Sequence, residues 1–311
     1  MDIISILLII GGLVIFEIVN SIDNAIVNAH VLKTMSVKWR RIFLFWGIIF
    51  AVFVVRGVLP FLIVWFSVPD LGFWQVFGAV FSGSPEVANA INEGRPLILM
   101  AAGVFLLLLY LHWLFLEEKA PLFVTDKLIK PHFGIWFFAC TAILLVALLY
   151  LARSNPILML STAIGNAVFF ILYGFREQAE KQSARLMKGG DHLKNLSKLL
   201  YLEVLDTSFS FDGVLGAFAF TTSIPLILIG NGIGALVVRD MTIKNIDRVA
   251  KYKYLKNGAM TSIGILGAII ILESFIESLK LGFHIPDAIT PLITFTLVGA
   301  AFWESKKLLK S

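Results

Sequence analysis

Cysteine is nearly missing from this chain: Cys140 is the only one, and it sits inside an apolar run. A disulfide framework and a cysteine metal centre are therefore excluded. Charge is scarce too, since Asp, Glu, Lys and Arg make up 15% of the 311 residues, where globular domains carry about 25%. Histidine is limited to positions 30, 112, 132, 192 and 284, mostly near the ends of apolar runs, which suits interface residues better than ligands. No His-Glu-x-x-His segment occurs and no histidine partners Ser21 or Ser210, which argues against an intramembrane hydrolase. The N-terminus lacks a basic region, and its first apolar run contains Glu17 and Asp23. That run is expected to be a retained helix, not a cleaved signal peptide.

What the chain has in excess is apolar surface. Residues of the A, V, I, L, M, F, W, Y and C set make up 58%, and the 24 glycines raise the apolar share to about two-thirds, against roughly 45–50% in globular domains. A soluble enzyme, a nucleic-acid binder and a disordered chain are excluded. The expected fold class is an all-α polytopic membrane protein. Apolar runs of membrane length fall at 3–32, 42–66, 97–116, 134–152, 157–174, 200–222, 224–238, 259–279 and 287–303, nine spans in all.

The basic residues divide unevenly across that layout. On one side lie 22 of the 26 Lys and Arg, on the other only Arg95, Arg153 and Lys280, while Arg56 falls within a span. The positive-inside rule then puts the N-terminus outside and the C-terminus in the cytoplasm of a cell (inner or plasma) membrane. The net charge of +5 reflects topogenic loops facing anionic lipid, so membrane lipid is the expected partner and nucleic acid is not. No oligomeric state follows from these features. Of the two long connections, 67–96 on the outside is expected to lie in the interface or re-enter. The other, 176–198 on the inside, reads as a short amphipathic helix broken at Gly189-Gly190.

Six acidic residues fall inside spans: Glu17 and Asp23 in the first, Glu203, Asp206 and Asp212 in the sixth, and Glu273 in the eighth. A carboxylate at membrane depth costs about 2.5–3.5 kcal/mol and usually marks a pathway. An ion pair with Arg56 or a helix-end cap accounts for one or two of them, not for all. The two acidic spans also resemble each other. Glu17-Ile-Val-Asn20-Ser21-Ile-Asp23-Asn24 is matched by Glu203-Val-Leu-Asp206 followed by Ser210-Phe-Asp212-Gly213. Because the copies lie five spans apart in order, an odd offset, they run in opposite directions, which is the inverted three-plus-three repeat of many transporters. The layout is then 1–118 for the first repeat, 119–198 for two accessory spans and a basic loop, 199–280 for the second repeat, and 281–311 for the last span and basic tail.

On an ideal helix Glu17, Asn20, Ser21, Asn24 and Asn28 share a face about 100° wide, whereas Asp23 lies about 120° from Glu17 and Asp212 about 180° from Glu203. Convergence of the carboxylates therefore predicts unwinding of one or both helices at the Ser-x-Asp step. Laid antiparallel, positions 17 and 212 match in depth, as do 23 and 206. Carboxylate, amide and hydroxyl oxygens without nearby His or Cys suit Mg²⁺, Ca²⁺ or Mn²⁺.

With these motifs on the page, the sequence resembles the TerC/Alx family of integral membrane proteins. The likeness rests on Glu17-x-x-Asn-Ser-x-Asp23-Asn24, on Glu203-x-x-Asp206-x-x-Phe-Ser-x-Asp212, and on Asn231 with Arg239 eight positions on. It departs where Gly213 replaces the usual Ser and in having spans beyond the usual core. The resemblance implies export of divalent metal ions, chiefly manganese, and an association with tellurium resistance. It implies a metal site of Glu17, Asp23, Asn24, Glu203, Asp206 and Asp212, with Asn20, Ser21, Ser210 and Asn231 as further candidates. The metal is cargo and no resident cofactor or enzymatic activity is expected. Two other readings stay open: a membrane scaffold or stress-resistance factor with a structural acidic cluster, and an exporter of organic cations or amino acids lined by Phe209 and Phe211.

Overall fold

The computed structural model of the chain describes residues 2–47, 50, 55–67, 72–82, 85–129, 134–188, 195–244 and 251–309, with some side chains, including those of Asp23 and Phe209, outside that description. Among the described residues there are thirteen α-helices and no strand. The first four are α1 (Ile3–Asn20), α2 (Ile22–Lys33), α3 (Val37–Ile42) and α4 (Arg56–Ser67), with a π-helical turn over Phe43–Gly47. Next come α5 (Phe73–Ser82), α6 (Pro85–Leu116), α7 (Val124–Leu128), α8 (Gly134–Leu151) and α9 (Pro156–Lys188). The chain ends with α10 (Asn195–Ala217), α11 (Ile224–Lys244), α12 (Leu255–Ser278) and α13 (Ile289–Leu308).

Among the described residues six segments are long and apolar enough to cross a membrane: Ile3–Asn20, Glu93–Leu116, Gly134–Leu151, Pro156–Phe175, Ile224–Met241 and Leu255–Ser278. The other three expected spans correspond to α4, of 12 described residues, to α10, which carries three carboxylates, and to α13. Two connections differ from their sequence reading. Much of 67–96 is helical, as α5 and the first turns of α6. The expected separate amphipathic helix after residue 176 is instead the continuation of α9, one helix of 33 residues reaching Lys188. Good helix formers such as Glu177, Gln178, Ala179 and Glu180 extend the apolar span without a breaker until the glycine pair.

The bundle is organised around α6 and α12, which cross antiparallel through their glycines. A Cβ on Gly103 would lie 3.0 Å from the Gly267 carbonyl oxygen, and one on Gly267 would lie 3.1 Å from that of Gly103. In lipid the apolar faces gain little by leaving the solvent, so close backbone approach at small residues carries helix association. Polar contacts pin the same pair at both ends. At one end Lys256 pairs with Glu117, and Asn257 Nδ2 donates to Asp126 Oδ2 at 2.6 Å and to the Ala120 carbonyl at 2.7 Å. Burial pushes Glu117 up, yet His112 and the Lys256 ammonium outweigh it and hold the carboxyl down at about 2. At the other end Arg95 pairs with Glu273 at 2.8 Å and with Glu277, and Ser274 Oγ donates to the Pro96 carbonyl at 2.6 Å.

Around that axis α1 packs parallel to α11, with Leu13 against Gly230 and Glu17 against Gly234. It packs antiparallel to α10, with Phe16 against Gly216 and Glu17 against Gly213. On the far side α9 runs parallel to α6, Gly165 against Ala101 and Tyr173 against His112. Helix α8 is peripheral and leaves Ile135, Trp136, Phe138, Ile143 and Val146 exposed, an apolar face suited to acyl chains. A cavity of about 680 Å³, apolar but for Ser161, opens among α4, α6, α9 and α10 and takes in Phe211.

Gly165 gives a direct test of this packing. A Cβ there would stand 3.0 Å from the Ala101 Cα and closer still to its carbonyl oxygen, whereas one on Gly174 of the same helix meets nothing. Gly165→Ala is expected to destabilise the folded protein by about 1–3 kcal/mol, while Gly174→Ala is neutral or stabilising through helix propensity. Thermal unfolding in detergent measures both.

Candidate functional site

The polar network begins where α1 gives way to α2. Asn20-Ser21-Ile-Asp23-Asn24 is poor in helix formers, and the axis breaks at Ser21, whose φ of −92° and ψ of 0° lie at the edge of the helical region. The hydrogen-bond ladder nevertheless continues, from Ser21 N to Glu17 O at 3.0 Å and from Ala25 N to Ser21 O at 2.9 Å. The expected unwinding is thus a kink in the first copy, and in the second there is none, because α10 runs unbroken through Ser210-Phe-Asp212-Gly213.

Glu17 sits at the kink with no exposure to solvent. Two glycines make room for it: a Cβ on Gly234 would lie 2.6 Å from the Glu17 Cβ, and one on Gly213 would overlap Glu17 Oε2. Gly213, the departure from the resembled family's Ser, is therefore a position where this chain needs the space. The two carboxylate oxygens differ. Oε1 accepts from Ser21 Oγ at 2.8 Å, from Arg56 Nη2 at 2.6 Å and from Arg56 Nε at 3.2 Å. Oε2 is buried and accepts nothing among the described residues.

One turn further, Asn24 Nδ2 donates to Asp206 Oδ1 and ties α2 to α10. Glu17 beside Gly213 and Asn24 beside Asp206 lie one residue from the 17–212 and 23–206 matches expected of antiparallel copies. Asp206 also acts electrostatically on Arg56 and on Arg239, and Glu203 acts on Arg239. Glu203 Oε1 faces Gly47 at the end of the π-helical turn, and its Oε2 is buried without a donor. Arg239 closes this side by donating to the Phe43 carbonyl at 2.6 Å, its guanidinium 4.8 Å from the Phe43 ring centroid. Asn231 is fully buried and donates from Nδ2 to the Gly213 carbonyl at 3.3 Å, leaving Oδ1 without a partner. Ser210 Oγ is turned back to the Asp206 carbonyl at 2.7 Å. Asp212 is buried one residue before Gly213, and Asn20 lies beside Gly213, its Nδ2 3.9 Å from where a Cβ would stand. The Asp23 side chain lies outside the described residues.

Among the described residues no three of these carboxylates have ligand atoms within 4.8 Å of one another. Among the described residues the one group of three acidic or histidine side chains with ligand atoms within 4.8 Å is Glu273, Glu277 and His284. Its two carboxylates are already engaged by Arg95. The Glu17 site is instead a chain of carboxylates joined by amides and guanidinium groups. Three of its members were not among the candidates read from sequence. Asn28 is buried with an orphan Oδ1, and its signal was the shared helical face with Asn24. Arg56 was marked by being the one basic residue inside a span. Gly47 carried no readable signal.

Together these features define a helical membrane protein with a buried network of acid, amide and arginine side chains between its first and tenth helices. The chain belongs to the family described as "Protein of unknown function (DUF475)", whose model matches residues 22–309. No curated protein and no solved structure matches it.

The Gly213 cradle is open to measurement. Gly213→Ala is expected to destabilise the protein by about 1–3 kcal/mol through overpacking. Made in a Glu17→Ala background, the same change is expected to lose most of that effect. A double-mutant cycle on unfolding midpoints gives the coupling.

Proposed function

We propose that this protein exports a divalent metal ion, Mn²⁺ above others, across the membrane by alternating access through the Glu17–Asp206 network. The observation that carries the reading is a set of buried oxygen acceptors with no donor among the described residues: Glu17 Oε2, Asn24 Oδ1, Asn28 Oδ1, Glu203 Oε2 and Asn231 Oδ1. An unsatisfied buried acceptor costs about 1–3 kcal/mol, more when charged, so such a set calls for a cation. Its atoms are all oxygen, the donor type of hard divalent ions. Five carboxylates (Glu17, Asp23, Glu203, Asp206, Asp212) against two guanidinium groups (Arg56, Arg239) formally leave an excess of negative charge for a divalent cation to balance. The resemblance to the TerC/Alx family supplies the preference for manganese and the outward direction.

The helix packing supports the nine-span layout and the inverted repeat, while the N-outside orientation rests on the basic loops. Odd with odd spans run parallel (α1 with α11, α6 with α9), while odd with even spans run antiparallel (α1 with α10, α6 with α12). Pairing α1 with α11, α4 with α10 and α6 with α12 is the exchange of partners that a pseudo-twofold axis in the membrane plane requires. Asp23 and Asn24 then join Glu17, Glu203, Asp206 and Asp212 as ligands, with Asn20, Ser21, Ser210 and Asn231 as secondary oxygen ligands. The organic-cation reading is weakened by Phe211, which turns to the apolar cavity, away from the acids.

Manganese uptake into inside-out vesicles tests the proposal. Wild-type protein is expected to transport, while Asp212→Asn, Asp206→Asn and Asp23→Asn lose at least tenfold in rate. Equal transport by all chains would overturn the site assignment. A folded wild type that moves no cation would favour the scaffold reading.

A further inference from the structure

Arg56 is an anomaly that export through an acidic site does not by itself explain. A cation-binding site gains nothing from a permanent positive charge placed on its deepest carboxylate, yet Arg56 is only 4% exposed and closes directly onto Glu17. Its Nη2 and Nε both donate to Oε1, while Oε2 is buried, faces Gly213 and accepts nothing among the described residues. The guanidinium also lies within the field of Asp206 on the opposing helix. It is the first residue of α4, which contacts both α10 and α11.

A buried carboxylate with no counter-charge is strongly unfavourable. A transporter whose cargo supplies that counter-charge meets this cost each time the cargo leaves. Arg56 removes it, because the guanidinium neutralises Glu17 when no ion is present. A divalent cation on Glu17 makes the guanidinium a repulsive neighbour, and Asp206 is the acceptor within its field toward which it can retreat.

We propose that Arg56 is a tethered counter-cation that holds Glu17 in the ion-free state and competes with the transported ion for it. This rests on the Glu17 network being the cation site and adds to it how the empty site is stabilised and how affinity is held low enough for release. Arg56 is therefore a specificity- and affinity-setting residue, not a ligand.

The test is Mn²⁺ binding to purified protein in detergent by calorimetry, for wild type, Arg56→Gln, Arg56→Lys and Glu17→Gln. Arg56→Gln keeps a hydrogen-bond donor but removes the competing charge, and it is expected to bind Mn²⁺ at least tenfold more tightly than wild type. Lysine keeps the charge without the two-point grip, so Arg56→Lys is expected to gain about two- to fivefold. Glu17→Gln is expected to bind at least tenfold more weakly. Folded Arg56→Gln with wild-type or weaker affinity overturns the proposal. Should Arg56→Gln fail to fold, Arg56→Lys decides, and affinity at or below wild type overturns it. Absence of Mn²⁺ binding in every chain overturns the cation-site reading itself, a result distinct from equal binding in wild type and the Arg56 variants.

Discussion

A buried carboxylate needs a counter-charge, and the centre of this protein is arranged around meeting that need at Glu17. The residue is fully enclosed by α1, α4, α10 and α11, and each element makes a specific accommodation. Helix α1 kinks so that Ser21 reaches back to the carboxylate. The start of α4 delivers the Arg56 guanidinium. Helices α10 and α11 present Gly213 and Gly234, the absence of whose side chains leaves the space that the acid fills. A buried acid is costly to keep, and the proposed export function gives it a reason to be there.

The rest of the bundle supplies rigidity on one side and freedom on the other. Helices α6 and α12 cross at reciprocal glycines and are pinned at both ends by ion pairs and side-chain-to-carbonyl bonds, which fixes their register. The pair α1 and α11 also packs closely, and beside it Asn24 donates to Asp206 and Asn231 to the Gly213 carbonyl. On the proposed export reading, it is polar contacts such as these, and not the α6–α12 crossing, that would exchange between states.

Much of this was legible beforehand, and the reasons are local. Membrane character follows from composition, and helices follow from apolar runs in which every backbone group must be satisfied internally. The paired acidic motifs pointed to two segments that the structure does bring side by side; antiparallel matching set 17 against 212 and 23 against 206, and the contacts described, Glu17 with Gly213 and Asn24 with Asp206, fall one residue along. Less was legible where neighbours decide. The break at Ser21 and the continuity of α10 share one motif but have different outcomes, because Ser21 is drawn to a buried acid whereas Ser210 bonds back along its own helix. Likewise α9 runs on past residue 176 because nothing in its local sequence stops it.

Taken alone, the sequence determined that the chain is helical and apolar, which residues are too polar for lipid, and that those residues recur in two related segments. These properties are set by composition and by spacing along one helix, so they survive without knowledge of partners. Only the tertiary structure decided which carboxylate oxygen is engaged and which stays open, that Arg56 reaches Glu17, and that glycines 47, 213 and 234 are the walls against which the acids rest. Such facts depend on residues from α1, α4, α10 and α11 meeting across long separations in the chain, and no local pattern encodes that meeting.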